Sequence, residues 1–370
     1  MNFTDSDPLE NEKEPIKKLN DNHPKPYIVL PRIISIKKDA FFDLPEFLSQ
    51  LRAGRDGLCI CDSLTKEIAG RKVEEVVVSS NFTLDFYEIS DADIPTVKEV
   101  EKYIKTKGFD FIIGVGGGRA IDVAKITSFH TANFFISVPT APSHDGVASN
   151  IASIRSNKGF ISMKAHPPHC VVADINIIAT APHRLVASGC ADVISNMTAI
   201  LDWKLGRDTK NENYSRYASA ISQMSYNILK RNIKLVKPNS VAGVHLVMDA
   251  LVASGMAMSI YGNSRPASGG EHLISHALDR IAKTPALHGE QCGVATIFTM
   301  YLHEGDWKEV RRLLSTVGAP VNLEQLGVTK EEFIKAVQLA PRIRPNRFTI
   351  LHQNLAKERI EKVLEETMLI

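Results

Sequence analysis

Phe109–Lys125 reads FDFIIGVGGGRAIDVAK. Its first seven residues form an apolar run of strand length. Gly116, Gly117 and Gly118 then open a stretch that continues as a helix. Glycines let a backbone approach an anion closely, and amide groups at a helix N-terminus favour negative charge. Such a turn suits a dinucleotide pyrophosphate; a tight packing turn is the alternative. The spacing is not G-x-G-x-x-G, so the strand before and the helix after carry the reading.

Similar units lie on both sides. Apolar runs recur at Gly57–Cys61 (GLCIC), Val73–Ser79 (VEEVVVS), Asn133–Val138 (NFFISV) and Cys170–Asp174 (CVVAD), with helix-like stretches such as Thr96–Lys107 between the earlier ones. Strands alternating with helices predict a mostly parallel sheet covered on both faces. The pattern stops near Pro182. Long amphipathic segments follow at His183–Leu205, Tyr214–Val236, Val241–Tyr261, Glu271–Ile281, Asp306–Thr316 and Lys330–Leu339. The expected fold is an α/β Rossmann-like nucleotide-binding domain at 27–181, then an all-α metal- and substrate-binding domain at 182–370. The active site is expected in the cleft between them. Residues 1–26 are poor in apolar side chains and read as a disordered arm.

Composition narrows the class. The chain has 370 residues, 44% hydrophobic and 23% charged, with a formal net charge of +2. That allows a large core and shows no footprint for nucleic acid or an anionic membrane. No apolar run reaches the ~20 residues of a membrane span, and the N-terminus lacks a secretory h-region, so a cytoplasmic protein is expected. Five cysteines at 59, 61, 170, 190 and 292 lack zinc-knuckle spacing. Reduced core thiols are expected; Cys59 and Cys61, on one face of a strand, could instead form a redox pair.

The segment Pro139–Ser149 (PTAPSHDGVAS) follows the next strand and should bring Thr140, Ser143 and Asp145 beside the glycine turn. Asp62 ends the strand Gly57–Cys61. A carboxylate there can accept from an adenosine ribose hydroxyl and repel a 2′-phosphate, or it is a solvated turn residue. The helical half supplies metal-ligand types: Asp192 in SGCADVISN, His272 and His276 one helical turn apart in SGGEHLISHALDR, and His288 in ALHGEQCG. Asp with two or three His leaves one coordination position open, the pattern of catalytic zinc, although any one histidine alone reads as structural. HLISH lacks the Glu of H-E-x-x-H, which argues against peptide hydrolysis.

In chain order these segments are GVGGGRAIDVAK, PTAPSHDGVAS, P-x-x-V-V-A-D, G-x-A-D, E-H-x-x-x-H and H-G-E-Q. That order resembles the superfamily of iron-dependent alcohol dehydrogenases, glycerol dehydrogenases and dehydroquinate synthases, from about Pro31 to about Gln353. Arg119 in the glycine turn, the triplet Ser143-His144-Asp145, and RPNRFTIL at Arg344–Leu351 are similar to its sn-glycerol-1-phosphate dehydrogenase branch. The resemblance implies zinc on Asp192, His272 and His288. It implies NADH or NADPH on Asp62, Gly116, Gly117, Gly118, Asp122, Thr140, Ser143 and Ser149. It places substrate at Asp145, Asp192 and His272, with Asp145 and His276 in catalytic roles. The implied reaction is reduction of dihydroxyacetone phosphate to sn-glycerol 1-phosphate, for archaeal-type membrane lipids, by a homo-oligomer. Lys164 and Arg344 are candidates for the substrate phosphate. Asn196 stands where iron-type members carry a further His ligand, and Asp192 where dehydroquinate synthases carry Glu. A glycerol dehydrogenase, a dehydroquinate synthase-like lyase, and a metal- and nucleotide-binding sensor remain alternatives.

Overall fold

A computed structural model describes residues 28–370 apart from 158 and 354, so the expected arm at 1–26 lies outside the described residues. The strands are β1 (Ile33–Lys37), β2 (Asp56–Cys61), β3 (Thr83–Glu88), β4 (Phe111–Gly116), β5 (Phe134–Pro139), β6 (Ile151–Ser156), β7 (Gly159–Lys164) and β8 (Cys170–Asp174). Six of them form one parallel sheet in the order β1-β8-β5-β4-β2-β3, and β6 with β7 makes an antiparallel hairpin. Around the sheet run α1 (Leu44–Leu51), α2 (Ser63–Thr65), α3 (Arg71–Val78), α4 (Ile94–Lys107), α5 (Gly118–Thr131) and α6 (Ile175–Ile178).

Side chains alternate across the sheet, as a two-residue period requires. Cys59, Cys61 and Phe111 join the core under α1 and α3, while Leu58, Ile60 and Ile112 join the core under α4 and α5. The two cysteines therefore share a face. Val73–Ser79, expected as a strand, is helical in α3. Val73, Val76 and Val77 are buried while Lys72, Glu74 and Glu75 are not, a spacing of i, i+3, i+4 that a helix satisfies and a strand cannot. The strands β1 and β3 and the β6–β7 hairpin were not expected from the sequence.

After Pro182 the chain is helical: α7 (His183–Lys210), α8 (Arg216–Asn232), α9 (Val241–Tyr261), α10 (Gly270–Ile281), α11 (His288–Leu302), α12 (Trp307–Val317), α13 (Leu323–Leu326), α14 (Lys330–Ile343) and α15 (Lys357–Glu366). Contrary to the sequence expectation, α7 and α9 are long and apolar enough to cross a membrane by length and composition. Most of each apolar window is buried, 83% in α7 and 67% in α9, as in core helices. One large core joins these helices to Val171 and Ala173 of the sheet.

The two halves press together at a glycine. A Cβ on Gly189 of α7 would stand 1.9 Å from the carbonyl oxygen of Pro142, in the segment after β5. Gly189→Ala should therefore lower stability by about 1–3 kcal/mol or more, read by chemical denaturation, because backbone must shift to admit the methyl. Unchanged stability would show that this contact is not a tight one.

At the start of β8, His169 accepts from the Phe135 amide through Nδ1 (3.0 Å). Burial, with smaller contributions from His166 and Arg32, pushes His169 down to about 4. A histidine whose folded-state pKa is depressed gives stability that is complete above about pH 6.5 and fades as pH falls towards 4. His169→Gln should flatten the stability–pH curve in that window; an unaltered curve would exclude His169 as its source.

Candidate active site

The site is assembled where β4 and β5 end against α7, α9, α10 and α11. Gly116 has φ 151°, and a Cβ there would meet Ala120 Cβ at 2.9 Å, so only glycine turns the chain from β4 into α5. Gly117 is the N-cap of α5, with nothing within 4 Å of where its Cβ would stand. Open space thus faces an uncapped helix N-terminus. Thr140 donates its amide to Gly116 O (3.0 Å), which sets the two turns side by side.

Asp62 lies at the end of β2 and caps α2, its Oδ1 accepting from the Thr65 amide (2.8 Å). Its Oδ2 is 3.6 Å from Arg119 on α5. Asp122 is buried, with Oδ1 3.3 Å from Lys125 Nζ and Oδ2 accepting from the Ser153 amide. Lys125 in turn donates to Gly146 O and Ile151 O, each at 2.6 Å, and stands 3.5 Å from Ser149 Oγ. Asp122 and Ser149 thus face Lys125 and shape the segment after β5. Ser143 is half-buried, and its carbonyl accepts from Ser188 on α7 (3.4 Å).

Asp192, on α7, joins both sides of the cleft. Its Oδ2 accepts from the Asp145 amide (3.0 Å). Its Oδ1 is buried with no hydrogen-bond partner, and faces His272 Nε2 at 3.5 Å and His288 Nε2 at 3.8 Å. Burial opposes the Asp192 charge, but His272, His288 and the Asp145 amide outweigh it and bring the carboxyl down to about 2.

Each imidazole is oriented from behind. His272 Nδ1 is 2.9 Å from Glu271 Oε1, and the buried Glu271 also accepts from the Gly269 amide and from Thr198. His288 Nδ1 is 3.1 Å from Ser275 Oγ, which donates to Gln291 Oε1 (2.7 Å). With Nδ1–H engaged in both rings, each Nε2 faces Asp192 Oδ1 and offers its lone pair to a cation on giving up its proton. An orphaned carboxylate oxygen, two imidazole lone pairs and the Cys292 thiol have ligand atoms all within 4.8 Å of one another. This donor set fits a divalent transition metal.

Asp145 sits beside that cluster. Its Oδ2 accepts from Ser254 on α9 (2.7 Å); burial and then the Asp192 charge push its carboxyl up to about 7. Asn196 donates to Ser225 and Ser254, so the position that bears a ligand in iron-type members here supports Asp145 through Ser254. His276 lies outside the donor cluster, its ring 6.0 Å from that of His288. Burial pushes it down to about 4, so the ring is uncharged at neutral pH.

Arg344 and Arg347 approach from the chain after α14. Arg344 donates to Ser264 Oγ (3.2 Å), and Arg347 to Ser264 Oγ and Ser268 O (3.0 and 2.7 Å). Neither has a carboxylate within ion-pair distance among the described residues. Burial lowers both, and for Arg347 the Arg344 and Arg265 charges add to it. Lys164 is exposed at the end of β7. Sequence reading missed Arg347 and the supporting roles of Glu271, Ser275, Gln291 and Ser254. Only Glu271 carried a signal, in the E-H pair.

The pattern of the iron-containing alcohol dehydrogenase family matches residues 35–182. A glycerol-1-phosphate dehydrogenase (NAD(P)+) of Methanoregula boonei is 47% identical over 92% of this chain and 94% of its own. Its counterpart in Methanoculleus marisnigri is 47% identical over 90% of this chain and 92% of its own. Among solved structures, glycerol dehydrogenase from Schizosaccharomyces pombe has the same fold, with a TM-score of 0.79 at 18% identity over 94% of this chain and 91% of that one. With such identity along nearly its whole length, the chain belongs to the glycerol-1-phosphate dehydrogenases, within the iron-containing alcohol dehydrogenase family.

Proposed function

We propose that the protein reduces dihydroxyacetone phosphate to sn-glycerol 1-phosphate with NADH or NADPH and a catalytic zinc, supplying archaeal-type membrane lipids. The observations that carry this reading are a metal-type donor cluster on α7, α10 and α11, an open glycine turn after β4, and two arginines with no carboxylate at ion-pair distance among the described residues. The 27–181 half would hold the nucleotide, and the 182–370 half the metal and substrate. The reading includes a homo-oligomer with no nucleic-acid partner in a reducing, cytoplasmic setting; all five cysteines are unpaired and buried, which supports the reducing compartment.

Asp192, His272 and His288 would hold the cation, with Glu271 and Ser275 fixing the ring tautomers. When bound, a divalent cation withdraws electron density from a substrate carbonyl, and a reduced nicotinamide supplies hydride. The amides of the Gly116–Gly118 turn would receive the pyrophosphate, with Thr140 and Ser143 beside it, and Asp62 would accept from the adenosine ribose. Asp145, held by Ser254, contacts a substrate hydroxyl and can retain a proton near neutral pH. His276 acts as a neutral hydrogen-bonding group that relays a proton. Arg344 and Arg347 hold the phosphate, whose binding energy positions the carbonyl carbon.

Nicotinamide absorbance tests the reading. NADH or NADPH should be consumed rapidly with dihydroxyacetone phosphate and poorly with dihydroxyacetone. Efficient oxidation of free glycerol with no gain from phosphate would place the enzyme with glycerol dehydrogenases, and elimination without net cofactor change with the lyases. His288→Ala should lose zinc and turnover together, and Glu271→Gln should weaken zinc binding about 10- to 100-fold. Full zinc content and rate in His288→Ala would refute the ligand assignment.

Arg344→Met and Arg347→Met should each lower kcat/KM for dihydroxyacetone phosphate about 10- to 100-fold, as loss of a charged hydrogen bond does, while dihydroxyacetone reduction holds steady. Equal losses on both substrates would mean that the arginines support the fold rather than the phosphate.

A further inference from the structure

Cys292 lies within the donor cluster, and no step above uses it. It follows His288 by four residues on α11, so both side chains leave the same helix face. It is fully buried, with Sγ 3.6 Å from His288 Nε2. The edges of a tetrahedron built from ordinary zinc bonds to nitrogen, oxygen and sulfur are about 3.3–3.6 Å. The separations of Asp192 Oδ1 from His272 Nε2 and His288 Nε2, 3.5 and 3.8 Å, and of His288 Nε2 from Cys292 Sγ, 3.6 Å, are close to that. Independently, Asp192 Oδ1 points into the same space, buried and without a hydrogen-bond partner. A thiol that only filled core would be surrounded by carbon; this one shares its space with a carboxylate oxygen and two imidazole nitrogens.

We propose that Cys292 is a fourth protein donor to the cation in the substrate-free enzyme. The proposal rests on the metal reading above and adds a sulfur to its three oxygen and nitrogen donors. As the cation enters, the thiol proton leaves to solvent and the thiolate coordinates. The sulfur would then join the three other donors, and substrate would add to a cation already held by four side chains. A soft donor also biases the site towards zinc or cobalt and away from magnesium or manganese.

Cobalt(II) loaded into the chelator-stripped full-length enzyme tests this by its absorption spectrum. The wild type should show a sulfur-to-cobalt charge-transfer band in the near ultraviolet, besides the visible bands of the bound ion. Cys292→Val should lose the charge-transfer band, keep the visible bands, and bind zinc at least about tenfold more weakly, since even supporting groups around a metal are worth that much. The wild-type spectrum decides the matter even if the variant does not fold. Stoichiometric cobalt without a charge-transfer band would overturn the proposal and leave the three-donor reading intact. A wild type that binds no cobalt would overturn both.

Discussion

The Asp192 carboxylate is the group on which the arrangement of the cleft depends. One oxygen holds the backbone of Asp145, in the segment that follows the sheet, and the other faces two histidines on separate helices. A buried carboxylate is costly by several kcal/mol unless cations and donors surround it. Here they do, and the charged form prevails despite burial. The segment after β5 and the helices that carry the two histidines are thereby referred to one pair of atoms about two ångströms apart.

That arrangement requires the helices to come very close to the segment after β5. Gly189 on α7 and Gly255 on α9 allow it: a Cβ on Gly255 would meet Asp145 O at 2.6 Å, and one on Gly189 would meet Pro142 O at 1.9 Å. From the opposite side the buried Lys125 ammonium ties the same segment to α5, with Asp122 neutralising it. The segment is held by backbone contacts and buried polar groups rather than by its own secondary structure. This is how an irregular stretch can keep Asp145 in a fixed position, as a rigidly supported site requires.

Charge is divided across the cleft by chemical type. Carboxylate, imidazole and thiol atoms converge where a cation fits, while Arg344 and Arg347, among the described residues, donate to Ser264 and the Ser268 carbonyl and to no carboxylate. Uncompensated cations in a partly buried place favour an anion over a neutral group, because the anion replaces lost hydration. His276, uncharged at neutral pH, adds no further charge beside them.

The sequence by itself determined the βα unit around the glycine turn, the change from alternating strands to helices near Pro182, and the presence of metal-ligand residue types at Asp192, His272, His276 and His288. Each follows from local period or from residue chemistry, which neighbours in the chain reveal. Where the period is short and β-branched it misled: Val73–Ser79 has strand composition, but its burial at i, i+3, i+4 is set by the sheet beneath it. Tertiary structure alone decided what lies far apart in sequence. It brought Asp145 against Asp192 and Ser254, set Ser275 and Gln291 behind His288, and joined Arg344 and Arg347 to Ser264. It also set the Ser153 amide of β6 against the Asp122 carboxylate of α5. These are contacts between elements, fixed by how helices pack on a sheet, and no spacing along one chain segment encodes them.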